Sequence, residues 1–298
     1  MPLADSTITS NHALAFMSTA LSSTTIHVAH SPDSDDAFMF YALAEGKIDT
    51  EGLTYVHELQ DIESLNQRAL RGELEVTAVS IHAYAYLSDR YALLPHRASM
   101  GDRYGPRLVS RKPAAKSDIR GKRIAIPGPL TSAYLALRLY EPDFEAIPVP
   151  FDQIETAVLE GRVDAGLLIH EGQLTYADQG LHLIVDMGEW WYQETGLPLP
   201  LGGNVVRKDL GPEMTQKISR HLRDSIAYGL QHRVGALDHA MRYARGLDRG
   251  KADTFVGMYV NDWTLDYGAK GREAVRMFLD RGVSAGIITR PVSVEFAD

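Results

Sequence analysis

From Thr25 onward, short apolar runs alternate with stretches in which apolar residues recur every three or four positions. The run "TIHVAHS" (25–31) predicts a strand, and "DDAFMFYALAEG" (35–46) predicts a helix closed by Gly46. "LTYVHEL" and "EVTAVS" predict two more strands, separated by the helical pattern "DIESLNQRALRG", which Gly72 closes. The last of these strands runs into "IHAYAYLSDRYALL". Strands that alternate with helices predict an α/β protein with a mostly parallel sheet covered on both faces.

The plan then repeats. Residues 61–82 and 152–171 share an acid-led helix, a closing glycine, an apolar–acid pair (Leu74-Glu75 and Val163-Asp164) and a strand. The echo predicts two lobes of similar topology. The second lobe is expected to begin near "RKPAAKSDIRGKRIAIPG" (111–128) and to end near "GLPLPLGGNVVRKDLG" (196–211). Beyond it the pattern is helical: "EMTQKISRHLRDSIAYGLQH", "VGALDHAMRYARG", "KADTFVGMYVNDWTLDYG" and "GREAVRMFLDRG". The expected division is an N-terminal extension over 1–24, a discontinuous first lobe over 25–110 and 205–298, and a second lobe over 111–204. Inserting one lobe into another needs two chain crossings, placed near 108–112 and 203–207. Two crossings make a hinge, with an interlobe cleft as the place for a ligand.

Size and charge narrow the function. A chain of 298 residues is long enough for two lobes with their own cores. Lys and Arg number 30 against 39 Asp and Glu, a formal net charge of −9, with no basic cluster. That argues against a nucleic-acid partner but leaves room for a small anionic ligand at a locally positive site. The absence of cysteine excludes disulfides and thiolate chemistry. No apolar run approaches the ~20 residues that span a bilayer, so no membrane partner is expected. The apolar piece "ALAFMSTAL" lacks the basic start of a secretory signal, and a cytoplasmic location is expected. No oligomeric state follows from the sequence.

In open α/β sheets, the loops after the strands' C-terminal ends form the ligand crevice. Four such loops carry candidate chemistry. In "HSPDSDDAF", Ser34 is a candidate helix cap; Asp35 and Asp36 suit the first turn of a helix, and one of them is a candidate partner for a ligand hydroxyl. In "VSIHAYAY", Ser80 is a candidate cap or carboxylate ligand, and His82 is either core or cleft lining. In "IPGPLTSAYLALRLY", Thr131 or Ser132 opens a helix without acids, a plausible anion seat. In "LLIHEG", His170 follows a buried strand; it is either structural or a general base, and burial is expected to keep it neutral. Trp190, Trp191 and Tyr192 either brace the connection between lobes or stack on an aromatic ligand. Leu197 to Gly203, with two prolines and two glycines, reads as a rigid segment whose backbone approaches something closely. No dinucleotide, P-loop, nucleophile-elbow or zinc-protease motif is present, and no helical histidine pair predicts a metal.

Taken together and in order, "SPDSDDAFMFYAL", "IPGPLTSAYLALRLY", "LLIHEGQLTY", "DMGEWWYQETGLPLPLGG" and "YVNDWTLDYGAKGREAV" resemble the 1,4-dihydroxy-6-naphthoate synthases of the futalosine route to menaquinone, over about residues 26–285. The resemblance implies a two-lobed periplasmic-binding-protein type II-like fold. It implies a lyase that converts cyclic dehypoxanthinyl futalosine to 1,4-dihydroxy-6-naphthoate and dihydroxyacetone, without metal or redox cofactor. It implies His170 as the base, and Ser80, Thr131, Ser132, Asp36, Leu201 and Gly202 as substrate-binding positions. One departure stands out. After Ser-Pro the family often reads Cys-Pro-Asn-Asp-Thr, where this chain has Asp33-Ser34-Asp35-Asp36-Ala37. Asp36 keeps its place, while the amide and the hydroxyl are lost. Two alternatives share the fold: a transporter's solute-binding protein, which needs export and no base, and chorismate dehydratase of the same route.

Overall fold

A computed structural model describes residues 24–298, so all but the last residue of the expected N-terminal extension lies outside the described chain. The elements run β1 (Thr24–His30), α1 (Ser34–Ala44), β2 (Leu53–Leu59), α2 (Ile62–Arg71), β3 (Val76–Ser80), α3 (Ile81–Tyr84), β4 (Tyr91–Leu93) and β5 (Ser99–Gly101). Next come β6 (Arg107–Ser110), β7 (Arg123–Ile126), α4 (Ser132–Tyr140), β8 (Glu145–Pro148), α5 (Ile154–Leu159), β9 (Ala165–Leu168), α6 (Gly172–Thr175), β10 (His182–Asp186) and α7 (Met187–Thr195). The chain ends with β11 (Leu199–Arg207), α8 (Gly211–Gln231), α9 (Arg233–Ala240), α10 (Arg249–Tyr259), α11 (Asp262–Leu265) and α12 (Gly268–Ser284).

Two sheets result. The first has the order β2-β1-β3-β11-β4, with β5 also paired to β11; the second has the order β10-β6-β9-β7-β8. Both are mixed rather than mostly parallel. β11 runs antiparallel to β3, β4 and β5, and β6 runs antiparallel to β9 and β10. The reason is connectivity. A strand that enters directly from the other lobe needs no crossover helix, so it is free to pair antiparallel. The chain passes from the first sheet to the second between Gly101 and Arg107 and returns between Thr195 and Leu199.

The repeat shows up as matching geometry. Gly72 and Gly161 both close the turn before a strand in the left-handed region, at φ 72° and 74°, which glycine adopts without a Cβ clash. The side chains of Leu74 and Val163 that follow are buried. Asp61 caps α2 by accepting from Ser64 N at 3.0 Å. The N-cap of α1 is Asp33, and Ser34 is the first helical residue, buried with its hydroxyl unpartnered. The long pattern 251–268 is two helices. Asn261 accepts from Trp263 N at 3.0 Å and restarts the chain as α11.

Candidate active site

β1, β3, β7 and β9 all end at one cavity between the lobes, of about 770 Å³ including its mouth. The seven residues singled out from sequence, Asp36, Ser80, Thr131, Ser132, His170, Leu201 and Gly202, all line it. Ile62, Ile169, Phe255 and Tyr259 give its wall an apolar and aromatic character.

His170 follows β9 at φ 57°, a left-handed conformation that is strained for a residue with a Cβ. Its Nδ1 lies 2.8 Å from Asp33 Oδ2, across the cleft in the β1–α1 turn. The other Asp33 oxygen is ion-paired with Arg245 Nη2 at 2.7 Å, and Arg245 Nη1 also approaches Glu171 Oε2 at 3.6 Å. Phe151 packs edge-on to the imidazole, with ring centroids 4.6 Å apart, and Arg245 covers Phe151 at 4.4 Å. His170 Nε2 is buried and has no protein partner.

The direction in which the imidazole is moved differs from the sequence expectation. Burial does push the imidazole down, but the Asp33 charge and hydrogen bond, with Glu171, outweigh it and hold His170 above its ordinary value. Burial pushes Asp33 up, and His170 and Arg245 overrule it, so its carboxyl stays below the usual range. Asp35, beside them on the cavity wall, is raised well above the usual range by burial and by the nearby Asp36 and Asp33.

Asp36 is less available than expected. Oδ2 accepts from Ser31 N at 2.8 Å and Oδ1 takes Arg97 Nη2 at 2.6 Å. Ser80 makes no helix-capping bond; its hydroxyl accepts from Asn66 Nδ2 at 3.1 Å, and Asn66 Oδ1 accepts from Ser80 N at 2.9 Å. Thr131 caps α4, accepting from Tyr134 N at 3.2 Å and donating to Gly128 O at 2.8 Å. Ser132 Oγ accepts from His82 N at 3.1 Å. The turn before α4, read from sequence as free of acids, holds one from the other lobe. Glu63 Oε2 accepts from Leu130 N at 3.2 Å. Leu201 and Gly202 lie on β11, with Gly202 paired to Ser80.

Two alternatives left open by the sequence are decided in favour of the reading without a ligand role. Trp190, Trp191 and Tyr192 do not line the cavity; Trp191 is fully buried, with its indole N–H donated to Pro198 O, and Trp190 packs on Tyr140. His82 also stays out of the cavity, in the core, its imidazole pushed down to about 4 by burial.

Sequence reasoning missed Asp33, Arg97, Arg245, Gln173 and Tyr259. Arg97 lines the cavity with its Nε and Nη1 buried and unpartnered, and burial lowers it to about 10. The Tyr259 hydroxyl lies 2.7 Å from the Gln173 amide across the cleft. Only Asp33 left a trace in the sequence: "DSDD" holds one acid more than a helix N-terminus uses.

Residues 26–284 match the sequence family described as menaquinone biosynthesis. A 1,4-dihydroxy-6-naphthoate synthase of Thermus thermophilus is 39% identical over 264 residues, covering 87% of this chain and 96% of that protein. Its counterpart from Streptomyces coelicolor is 37% identical over 274 residues, covering 90% and 96%. A crystal structure from Archaeoglobus fulgidus superposes with a TM-score of 0.85 at 48% identity, covering 88% of this chain and 98% of that one. The alkanesulfonate-binding protein of Xanthomonas axonopodis shares the fold alone, with a TM-score of 0.68 at 13% identity over 91% of this chain and 96% of that one. Two sheets from two lobes, a cavity between them and this extent of likeness lead to one conclusion: the chain has the two-lobed periplasmic-binding-protein fold and belongs to the menaquinone-biosynthesis family, with the 1,4-dihydroxy-6-naphthoate synthases.

Proposed function

We propose that the chain converts cyclic dehypoxanthinyl futalosine to 1,4-dihydroxy-6-naphthoate and dihydroxyacetone, with His170 as general base, as a cytoplasmic lyase. The observation that carries the reading is the His170 ring itself. It lines the cavity, its Nδ1 faces a carboxylate, and its Nε2 is buried without a partner. A neutral imidazole held this way has its lone pair on Nε2, ready to take a proton from a bound substrate.

The substrate carries a carboxylate, a fused ring and a former ribose. Removal of one proton starts the fission that releases the three-carbon ketone, and aromatisation drives it. The two product fragments account for all the atoms of the substrate, so no oxidant is consumed. The apolar wall of Ile62, Leu201 and Phe255 suits the ring. The unpartnered Arg97 N–H groups suit the carboxylate, and the hydroxyls of Ser80, Thr131 and Ser132 suit the ribose-derived oxygens. We also take the lobes to be divided where the chain changes sheets. General-base assistance of this kind is worth ~10²–10⁴-fold in rate.

A solute-binding protein accounts for the cavity but gives a buried, unpartnered imidazole nothing to do. The test is incubation with cyclic dehypoxanthinyl futalosine and mass analysis of the products, with chorismate as a second substrate. Release of 1,4-dihydroxy-6-naphthoate supports the proposal; dehydration of chorismate alone, or no turnover of either, sinks it. His170→Ala should keep the circular dichroism of the parent and lose turnover. Dihydroxynaphthoate formation near the parent rate would remove His170 from the role of base.

A further inference from the structure

We propose that Asp33 is the positioning residue of His170, fixing its ring and tautomer so that Nε2 is the nitrogen left free to take a proton. The inference rests on the reading of His170 as the base. Asp33 offers its Oδ2 to Nδ1 at 2.8 Å. An ionised carboxylate only accepts, so the ring proton of neutral His170 is drawn to Nδ1 and the lone pair is left on Nε2. The carboxylate cannot easily swing away. It is buried, and Arg245 holds its other oxygen at 2.7 Å. Phe151, packed edge-on to the imidazole and covered by Arg245, restricts the ring from the side.

Backbone strain points the same way. A histidine at φ 57° costs on the order of 1–3 kcal/mol and persists only where the surroundings over-determine it. Here Asp33, and the Arg245 that holds it, come from the opposite lobe, while Phe151 belongs to the lobe of His170 itself. Asp33 belongs to the turn between β1 and α1, and His170 to the turn after β9. The restraint from Asp33 is therefore in place while the lobes are closed. A proton acceptor assembled by closure is kept from bulk water until the substrate is enclosed.

The charged groups facing His170 are Asp33, Asp35, Asp36, Glu171 and Arg245. Asp33 is the largest of the influences that raise the imidazole. A base works in its neutral form, so kcat/KM should rise with pH through the His170 midpoint, and that midpoint should lie above the ordinary histidine value of ~6.5. Removing the Asp33 charge should move it down.

The test uses the full chain with Asp33→Asn and Asp33→Glu, ring-nitrogen NMR of labelled histidines assigned by the loss of one signal in His170→Ala, and steady-state kinetics. In Asp33→Asn we expect a lower His170 titration midpoint and a shift of the neutral ring away from the Nδ1-protonated tautomer. We also expect kcat lower by at least about 100-fold with KM changed little, in keeping with the loss of an orienting carboxylate beside a catalytic histidine. Asp33→Glu should restore part of kcat and of the midpoint. An Asp33→Asn enzyme within about threefold of the parent kcat overturns the inference, as does a loss of kcat with the His170 midpoint and tautomer unmoved. Normal turnover by His170→Ala would instead remove the base reading, while the NMR titration still reports whether the pair exists.

Discussion

Arg97 shows how much one buried side chain can be asked to hold. Its backbone is left-handed at φ 66°, its guanidinium stacks on Phe40 at 3.6 Å, and its Nη2 meets Asp36 Oδ1 at 2.6 Å. The Arg97 side chain is 1% exposed, so the pair is out of water. Removing one partner of such a pair strands the other. Arg97→Met should therefore destabilise the protein by on the order of 3 kcal/mol at neutral pH. The pH dependence has a definite sign. Burial already raises Asp36, and Arg97 opposes that rise. Without Arg97 the carboxyl rises further, so protonation of Asp36 relieves the penalty as pH falls. Urea melts of parent and variant at pH 7 and pH 5 should show the gap narrowing at pH 5; a gap that widens there would contradict the pairing. The same variant should raise KM, because Arg97 is the cation with free N–H groups on the cavity wall.

At the scale of elements, β11 decides the shape of the cavity floor. It is the return strand of the hinge, and it pairs with β3, β4 and β5. Gly202 and Gly203 lie opposite Ser80 and Val79, where side chains would fill the cavity or the core. A Cβ on Gly203 would run into the Tyr267 hydroxyl and come within 3.3 Å of Leu93. Gly203→Ala should destabilise the fold by about 1–3 kcal/mol, the usual cost of overpacking. Chemical denaturation reads it as a lower midpoint at an unchanged slope, and a variant as stable as the parent would show that β11 and Tyr267 are loosely packed. The β3 and β9 ends teach a related lesson. Each follows an acid-led helix and a left-handed glycine, and each delivers a polar side chain, Ser80 or His170, to the same cavity.

At the scale of the molecule, the lobes clasp each other around the cavity. Asp33 meets His170, Glu63 meets Leu130 N, Tyr259 meets Gln173, and on the surface Lys251 meets Asp178 at 2.7 Å. These contacts cross between groups carried by different sheets, and a substrate the size of the cavity has to enter past them. Ligand-free protein in solution should therefore sample a more open form, and saturating 1,4-dihydroxy-6-naphthoate should close it. Small-angle scattering should show a smaller radius of gyration with product; identical curves with and without it would mean that the clasp does not open.

The sequence by itself determined the elements, the two-lobed plan and the four strand-end loops that carry the cavity residues. Hydrophobic period, capping acids and closing glycines are local signals, and they act over a few residues. They placed α2 between Asp61 and Gly72 and brought His170 to the end of a buried strand. Tertiary structure alone decided the antiparallel entry of β6 and β11, the burial of Trp191 away from the cavity, and the upward push on the His170 imidazole. It alone brought Asp33, Arg245 and His170 together from three separate parts of the chain. An imidazole's ionisation depends on the balance between desolvation and the charges that face it. The charge that tips this balance lies near the start of the sequence, in the loop after β1, and 2.8 Å away in space.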